Sequence, residues 1–181
     1  MTVPKVFIVI GPAGSGKTTI AQQTAKKHGA AYLDKDQICG RLVEFSLKTA
    51  GHEPSDRESN AFYRENVLPL EYQTLMDVAG ANLRLGRSVV LDAPFGAYFA
   101  VPDYLVRAAE DFRWPPAGIT VVRVRVPRDV LRERLIQRGL ERDRWKLAHW
   151  DEYWAAYGRL DCAWSGVAFL DIDNGKPLPQ G

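Results

Sequence analysis

Two cysteines, Cys39 and Cys162, are all that 181 residues contain. They stand far apart, so a disulfide framework is not indicated and reduced thiols in a cytosol are expected. Histidine is nearly as scarce. His28, His52 and His149 are scattered, form no metal set, and bring no imidazole to ligand spacing with either thiol. No apolar run approaches membrane-spanning length, and no charged-then-apolar leader opens the chain. A soluble cytoplasmic protein with no membrane partner is therefore expected. Neither sign of charge dominates: 24 Lys and Arg against 22 Asp and Glu leave a net charge of +2. That is too small for a nucleic-acid coat, so any basic site must come from local clustering. Internal repeats and low-complexity tracts are absent as well.

What is present is an ordinary globular composition, 46% hydrophobic and 25% charged, long enough for one domain with a real core. Its organising stretch is Gly11-Pro-Ala-Gly-Ser-Gly-Lys-Thr18, which meets G-x-x-x-x-G-K-[ST] at every fixed position. The continuous apolar run Val6–Ile10 before it reads as a buried parallel strand, and Thr19 to His28 after it reads as a helix. Strand, glycine-rich turn and helix form the context that distinguishes a phosphate-binding loop from a turn that merely caps a helix. Gly11, Pro12, Ala13, Gly14, Ser15 and Gly16 are expected to curl so that backbone N–H groups face a phosphate. Lys17, Thr18 and Thr19 then start the helix with free N–H groups and its positive dipole end. Lys17 would reach the β- and γ-phosphates, and Thr18 would place its hydroxyl on Mg²⁺.

Strands and helices then alternate, which predicts a parallel sheet wound with helices. Strands are expected at 6–10, 31–33, 88–92, 119–126 and 167–170. Helices are expected at 19–28, 37–50, 61–85 (kinked near Pro69), 98–112, from Pro127 through Arg138, and 144–157. Ile38, Leu42 and Phe45 share one face of the 37–50 helix and are assigned to its buried side. Residues 51–60, with Pro54, Ser55 and Asp56, read as a loop, and 174–181 as a loose tail. The stretch 37–85 separates the second strand from the third and reads as a substrate-gripping insertion.

Three constellations carry chemistry. Asp34 and Asp36 follow the second strand at the sheet edge where ligands of open α/β sheets bind. One would cap the next helix; the other, Asp36, would orient an acceptor hydroxyl and take its proton. Asp92 closes the third strand. It reads as a ligand of Mg²⁺, direct or through water, or as an acceptor contact, against the alternative of a turn-initiating aspartate. Arg134, Arg138, Arg142 and Arg144 cluster after the fourth strand, and Arg134 and Arg138 share a helix face. They would neutralise a transferring phosphoryl group, unless they form a solvated face paired with Glu133 and Glu141. Arg41, Arg57 and Arg64 lie in or beside the insertion and would suit an anionic acceptor. Trp145, Trp150 and Trp154 read as core, with base stacking the sharper alternative.

Gly11 to Thr18, Leu33-Asp-Lys-Asp36, Val89-Val-Leu-Asp-Ala-Pro-Phe95 and Arg134 to Lys146 together resemble the small P-loop kinases grouped with zeta toxins and polynucleotide kinases. The resemblance spans nearly the whole chain. It implies an α/β three-layer sandwich: a five-stranded parallel sheet in the order 2-3-1-4-5, helices on both faces, and a small arginine-bearing LID at 134–146. It implies Mg²⁺-ATP, with Lys17 and Arg138 on the γ-phosphoryl group, Arg134 beside them, and Thr18 and Asp92 at the metal. Asp36 becomes the base, preceded by the basic Lys35, and Asp34, Arg41 and Asp92 line the acceptor. Gln37 stands where polynucleotide kinases carry a second acid, and the arginine that should follow closely arrives only at Arg41. A small-molecule hydroxyl acceptor is therefore preferred over a nucleic-acid end or a nucleotide sugar. The rival of another class is a nucleotide-binding regulatory module with little turnover.

Overall fold

The computed structural model describes residues 3–53, 57 and 60–175, with the side chain of Arg142 outside that set. The expected loop at Pro54, Ser55 and Asp56 and most of the expected tail lie outside the described residues. Five strands form one sheet: β1 (Lys5–Ile10), β2 (Ala31–Asp34), β3 (Val89–Asp92), β4 (Gly118–Arg125) and β5 (Ala168–Asp173). All neighbours are parallel, in the order β2-β3-β1-β4-β5.

The alternation within β1 decides which helix covers which face. Val6, Ile8 and Ile10 join the larger core with Tyr72, Leu75 and Met76 of α3 (Leu68–Arg84) and Leu105 and Ala108 of α4 (Tyr104–Asp111). Phe7 and Val9 face the other way and pack with Ala21 and Ala25 of α1 (Lys17–His28). Helices thus lie on both faces of a sheet whose central strand is buried from Val6 to Ile10, as a parallel sheet requires. β5 is the open edge and is largely exposed. There Asp171 pairs with Arg123 at 2.7 Å and with Arg125 at 2.7 Å, which accounts for the polar alternation in β4.

Several local expectations are revised. The helix expected over 98–112 begins only at Tyr104, because Pro102 supplies no N–H; a single 3₁₀ turn at Gly96–Tyr98 precedes it. The 61–85 helix is divided as Pro69 predicts. A wide π-turn at Tyr63–Val67 closes with Leu68 N–H on Tyr63 O, and Pro69 then stands at the first turn of α3. Of the apolar face assigned to α2 (Lys35–Thr49), only Ile38 packs inward, partly buried against the core. Leu42 and Phe45 are each 68% exposed, whereas Cys39, Val43 and Leu47 are buried against Tyr63 and Val67. The helix carries two apolar stripes, and the Tyr63–Val67 turn covers only one of them.

Of the late tryptophans, Trp150 is buried in a cluster with Val126, Leu131, Leu135 and Tyr153, and Trp154 packs at its margin. Trp145 is exposed and stacks on His149. Leu131 and Leu135 belong to α5 (Arg128–Arg138), Trp145 to α6 (Arg144–Ala148), and Trp150 and Tyr153 to α7 (Trp150–Tyr153), with Trp154 in the turn that follows.

Candidate active site

Because every strand is parallel, the carboxyl ends of β1, β2 and β3 meet at one edge. Asp34 pairs with Asp92 in the β2–β3 register, and Val9 pairs with Asp92 in the β1–β3 register. The loop that follows Ile10 therefore opens beside both aspartates.

That loop has the geometry of an anion cradle. Gly14 and Gly16 adopt φ of 84° and 83°, the left-handed region that side chains avoid. A Cβ on Gly16 would also lie 2.4 Å from Asn174 Nδ2. The first four N–H groups of a helix have no partner within it, and the α1 ladder begins with Ile20 N–H donating to Gly16 O at 3.2 Å. The unpaired N–H groups of the first α1 turn and the positive end of its dipole thus lie at the loop. Ala13 N–H, by contrast, donates to Tyr153 Oη at 2.8 Å and Ser15 N–H to Pro12 O at 3.1 Å, so these two do not face a phosphate as expected. Thr18 and Thr19 are exposed there, while Pro12 and Ser15 are buried beneath.

Lys17 lies across the cradle with its Nζ 3.1 Å from Asp92 Oδ1. That oxygen is buried yet accepts no directed hydrogen bond, so the contact is a charge pairing rather than a satisfied acceptor. Asp92 Oδ2 accepts from the Tyr32 hydroxyl at 2.9 Å, and the same hydroxyl lies 3.1 Å from Asp34 Oδ2. One proton serves two carboxylates. Burial first, then the hydrogen bond and charge of Asp92 and the charge of Asp34, push the Tyr32 phenol far above its usual range, so it stays a donor.

Asp34 takes the capping role. Its Oδ1 accepts from Asp36 N–H at 2.8 Å and Gln37 N–H at 3.2 Å, fixing the start of α2. Asp36, in the first turn of that helix, keeps a half-exposed carboxylate. Lys35 Nζ lies 3.0 Å from it and Arg57 Nη1 3.6 Å. Burial alone would raise its carboxyl, but the charge and hydrogen bond of Lys35, with Arg57 and Lys17 behind, hold it below the usual carboxylate range.

Lys35 is the surprise of this region. It is 4% exposed, and its second partner is Glu71 of α3, itself 2% exposed, at 2.6 Å. The other oxygen of Glu71 accepts from Tyr63 Oη at 2.5 Å, and Lys35 lies 5.8 Å from the centre of the Tyr72 ring. A buried ion pair is held only when its remaining valences are filled, and here Tyr63 and Asp36 fill them. Burial and Glu71 raise the Tyr63 phenol, which keeps its proton for that bond.

The late arginines divide. Arg138, at the end of α5, grips Asp143 through two hydrogen bonds, of 2.5 and 2.7 Å. Lys146 adds a 3.5 Å contact to the same carboxylate. Burial opposes ionisation of Asp143, but Arg138 overrides it and lowers the carboxyl. Arg134 reaches the cradle differently: its Nη2 donates to Asn174 O at 2.8 Å, while Asn174 Nδ2 donates to Ser15 O at 2.7 Å. Arg41 is exposed on α2 and is not gathered with the others: no described residue pairs with it.

Of the residues named from sequence, Gly11–Thr19, Asp34, Asp36 and Asp92 come together at this edge, and Arg134 comes within two hydrogen bonds of it. Tyr32, Glu71 and Tyr63 were missed. Tyr32 was legible in principle, since it lies two residues before Asp34 on the same face of β2. Glu71 and Tyr63 carried no signal, because each is an isolated polar residue in a helical stretch.

The donor set fits Mg²⁺. Thr18 offers a hydroxyl and Asp92 a buried carboxylate oxygen lacking a hydrogen bond, both hard ligands. Among the described residues no group of three or more His, Cys, Asp or Glu could hold a metal alone. No helix among the described residues is long and apolar enough to cross a membrane.

Comparison with known proteins gives the family and the fold. Residues 6–160 match the AAA_33 family, described as an AAA domain. A stretch of 53 residues, 29% of this chain and 27% of the relative, is 40% identical to a probable gluconokinase of Schizosaccharomyces pombe. Another of 92 residues, 51% of this chain and 29% of the relative, is 32% identical to a tRNA dimethylallyltransferase of Koribacter versatilis. The chain spans less than a third of the length of these curated relatives. A solved sugar kinase from Janibacter superposes with a TM-score of 0.63 at 18% identity, over 96% of this chain and 87% of that one, a likeness of fold. With the family match covering most of its length, the chain belongs to the AAA_33 family of AAA domains and has the fold of the P-loop kinases.

Proposed function

We propose that this protein transfers the γ-phosphoryl group of ATP to a hydroxyl of a small-molecule acceptor. The observation that carries the reading is the continuous chain Lys17–Asp92–Tyr32–Asp34, which ties the phosphate cradle to the start of α2, where Asp36 stands. Triphosphate and acceptor are thereby held against each other, and phosphoryl transfer needs little beyond such positioning and charge.

In this reading Lys17 leaves Asp92 for the β- and γ-phosphates when ATP enters. Asp36 orients the acceptor hydroxyl and accepts its proton as the new O–P bond forms and the bond to ADP breaks. Arg138 and Arg134 bring positive charge to the transferring group from the LID at 134–146, and the 37–85 segment holds the acceptor, with Asp34 and Arg41 at its border. Mg²⁺ held by Thr18 and Asp92 would neutralise phosphate charge. Both cations nearest Asp36, Lys35 and Arg57, are already paired with it, which favours a small acceptor over a nucleic-acid backbone. The finer likenesses, to polynucleotide kinases and to zeta toxins acting on nucleotide sugars, remain the second choice for the acceptor.

A cell metabolite extract incubated with ATP, Mg²⁺ and the protein tests this. A metabolite gaining one phosphate, with matching ADP release, is expected. Nucleotide binding without any acceptor-dependent ADP release would replace the enzyme by a nucleotide-binding regulatory module.

A further inference from the structure

The late helices do not hang free of the cradle; they are seated on it at two points. Ala13 N–H donates to Tyr153 Oη at 2.8 Å, joining the tip of the loop to α7. One residue on, a Cβ placed on Gly14 would lie 2.9 Å from Leu135 Cδ2 and 3.5 Å from Leu131 Cδ1, so α5 rests on bare backbone there. Ala13 is also counted among the apolar contacts of the cluster built by Leu131, Leu135, Trp150 and Tyr153. The Tyr153 side chain is buried and held from behind by Trp150 at 5.8 Å and Tyr157 at 5.5 Å between ring centres. Tyr157 in turn closes on Gly96, where a Cβ would meet its ring at 2.8 Å. A tyrosine pair therefore runs from the loop after β1 to the loop after β3.

The position of Ala13 gives that hydrogen bond its meaning. The inner phosphates of a bound nucleotide rest over the start of α1. Ala13 lies on the opposite limb of the loop, between β1 and the helix, on the side that the phosphate furthest from the helix start would approach. We propose that Tyr153 is a positioning residue for the γ-phosphate: it fixes the tip of the cradle and makes the seating of the arginine-bearing helices sensitive to whether the third phosphate is present. The inference rests on the nucleotide-binding reading of the loop but not on the identity of any acceptor.

Tyr153→Phe keeps the ring and its packing and deletes only the hydroxyl. Affinities of Mg²⁺-ATP, its non-hydrolysable imido analogue and Mg²⁺-ADP are measured by calorimetry on the parent and the variant. The expected result is a loss of roughly five- to tenfold for both triphosphates with ADP changed less than twofold, the scale of one buried donor losing its partner. Equal weakening for di- and triphosphate, or no weakening, overturns the proposal and leaves Tyr153 a packing residue. Hydrogen exchange on the parent supplies a second reading that needs no variant. The Ala13 amide should be slow without nucleotide and slower with the imido analogue than with ADP; an amide that exchanges at the rate of an open loop sinks the idea. Failure of the parent to bind any of these nucleotides would instead overturn the reading of the loop itself.

Discussion

The two ends of the candidate site are built by different means. The proposed phosphate end is one unbroken stretch, Gly11 to Thr19, made chiefly of backbone shaped by glycines at positive φ. The proposed acceptor end is assembled from β2, the start of α2, the Tyr63–Val67 turn and α3, and is built from a network of side chains: Asp36, Lys35, Glu71 and Tyr63. Backbone chemistry at one turn can be carried by a short motif. A buried side-chain network needs partners from distant segments, so each partner looks ordinary in its own neighbourhood.

If that division holds, the largest effect belongs to Lys17, the side chain of the Gly11–Thr19 stretch proposed to reach the β- and γ-phosphates. Lys17→Ala should cut acceptor-dependent ADP release by about a hundred- to a thousandfold, the scale set by deleting one preorganised charge at the reacting group. A loss below tenfold would mean that the cradle does not set the rate. The next largest effect falls on stability at the acceptor end. Lys35→Met leaves Glu71 buried without its cation, and urea unfolding should show a loss of about 3–5 kcal/mol. The double variant Lys35→Met/Glu71→Leu should recover much of it. If the single change costs nothing, the pair is not buried in solution.

A smaller effect concerns pH. Because the Asp36 carboxyl is held below its usual range, the base stays ionised under mildly acidic conditions, and the acid limb of kcat/KM should fall below about pH 3.9. The sign follows for stability: Asp36 and Asp143, both lowered, contribute stability above the ordinary carboxylate range and lose it as pH falls through their lowered values. A limb at or above the ordinary aspartate value would show that Lys35 does not act on Asp36. The smallest effect is expected on the uncovered stripe of α2. Leu42→Ser and Phe45→Ser should each change stability by no more than about 0.5 kcal/mol, since both side chains are mostly exposed. Loss of several kcal/mol in thermal unfolding would show that this stripe is covered after all.

The same division explains what the sequence revealed. The parallel sheet followed from the alternation of strands and helices, and its order from a resemblance carried by contiguous motifs. Helix faces followed less well. On α2 the stripe Ile38, Leu42, Phe45 competes with Cys39, Val43, Leu47, and only the distant Tyr63–Val67 turn decides between them. Asp34 and Asp36 were divided between capping and chemistry from local rules, and the hydrogen bonds from Asp36 and Gln37 N–H settle which one caps. Nothing local distinguishes Glu71 from a surface glutamate, because its burial depends on Lys35 across α2 and α3. Arg138 was read as a charge for the phosphoryl group, yet it is held by Asp143, a partner that only the turn at Glu141–Asp143 brings near.

The most direct test is a paired measurement on the parent and Asp36→Asn: Mg²⁺-ATP affinity by calorimetry, and ATP consumption in the presence of the cell metabolite extract. The account predicts that both proteins bind ATP within about twofold of each other, while consumption in the variant falls by about a hundredfold or more. A parent that takes up no ATP, or a variant that consumes it as fast as the parent, would contradict the account.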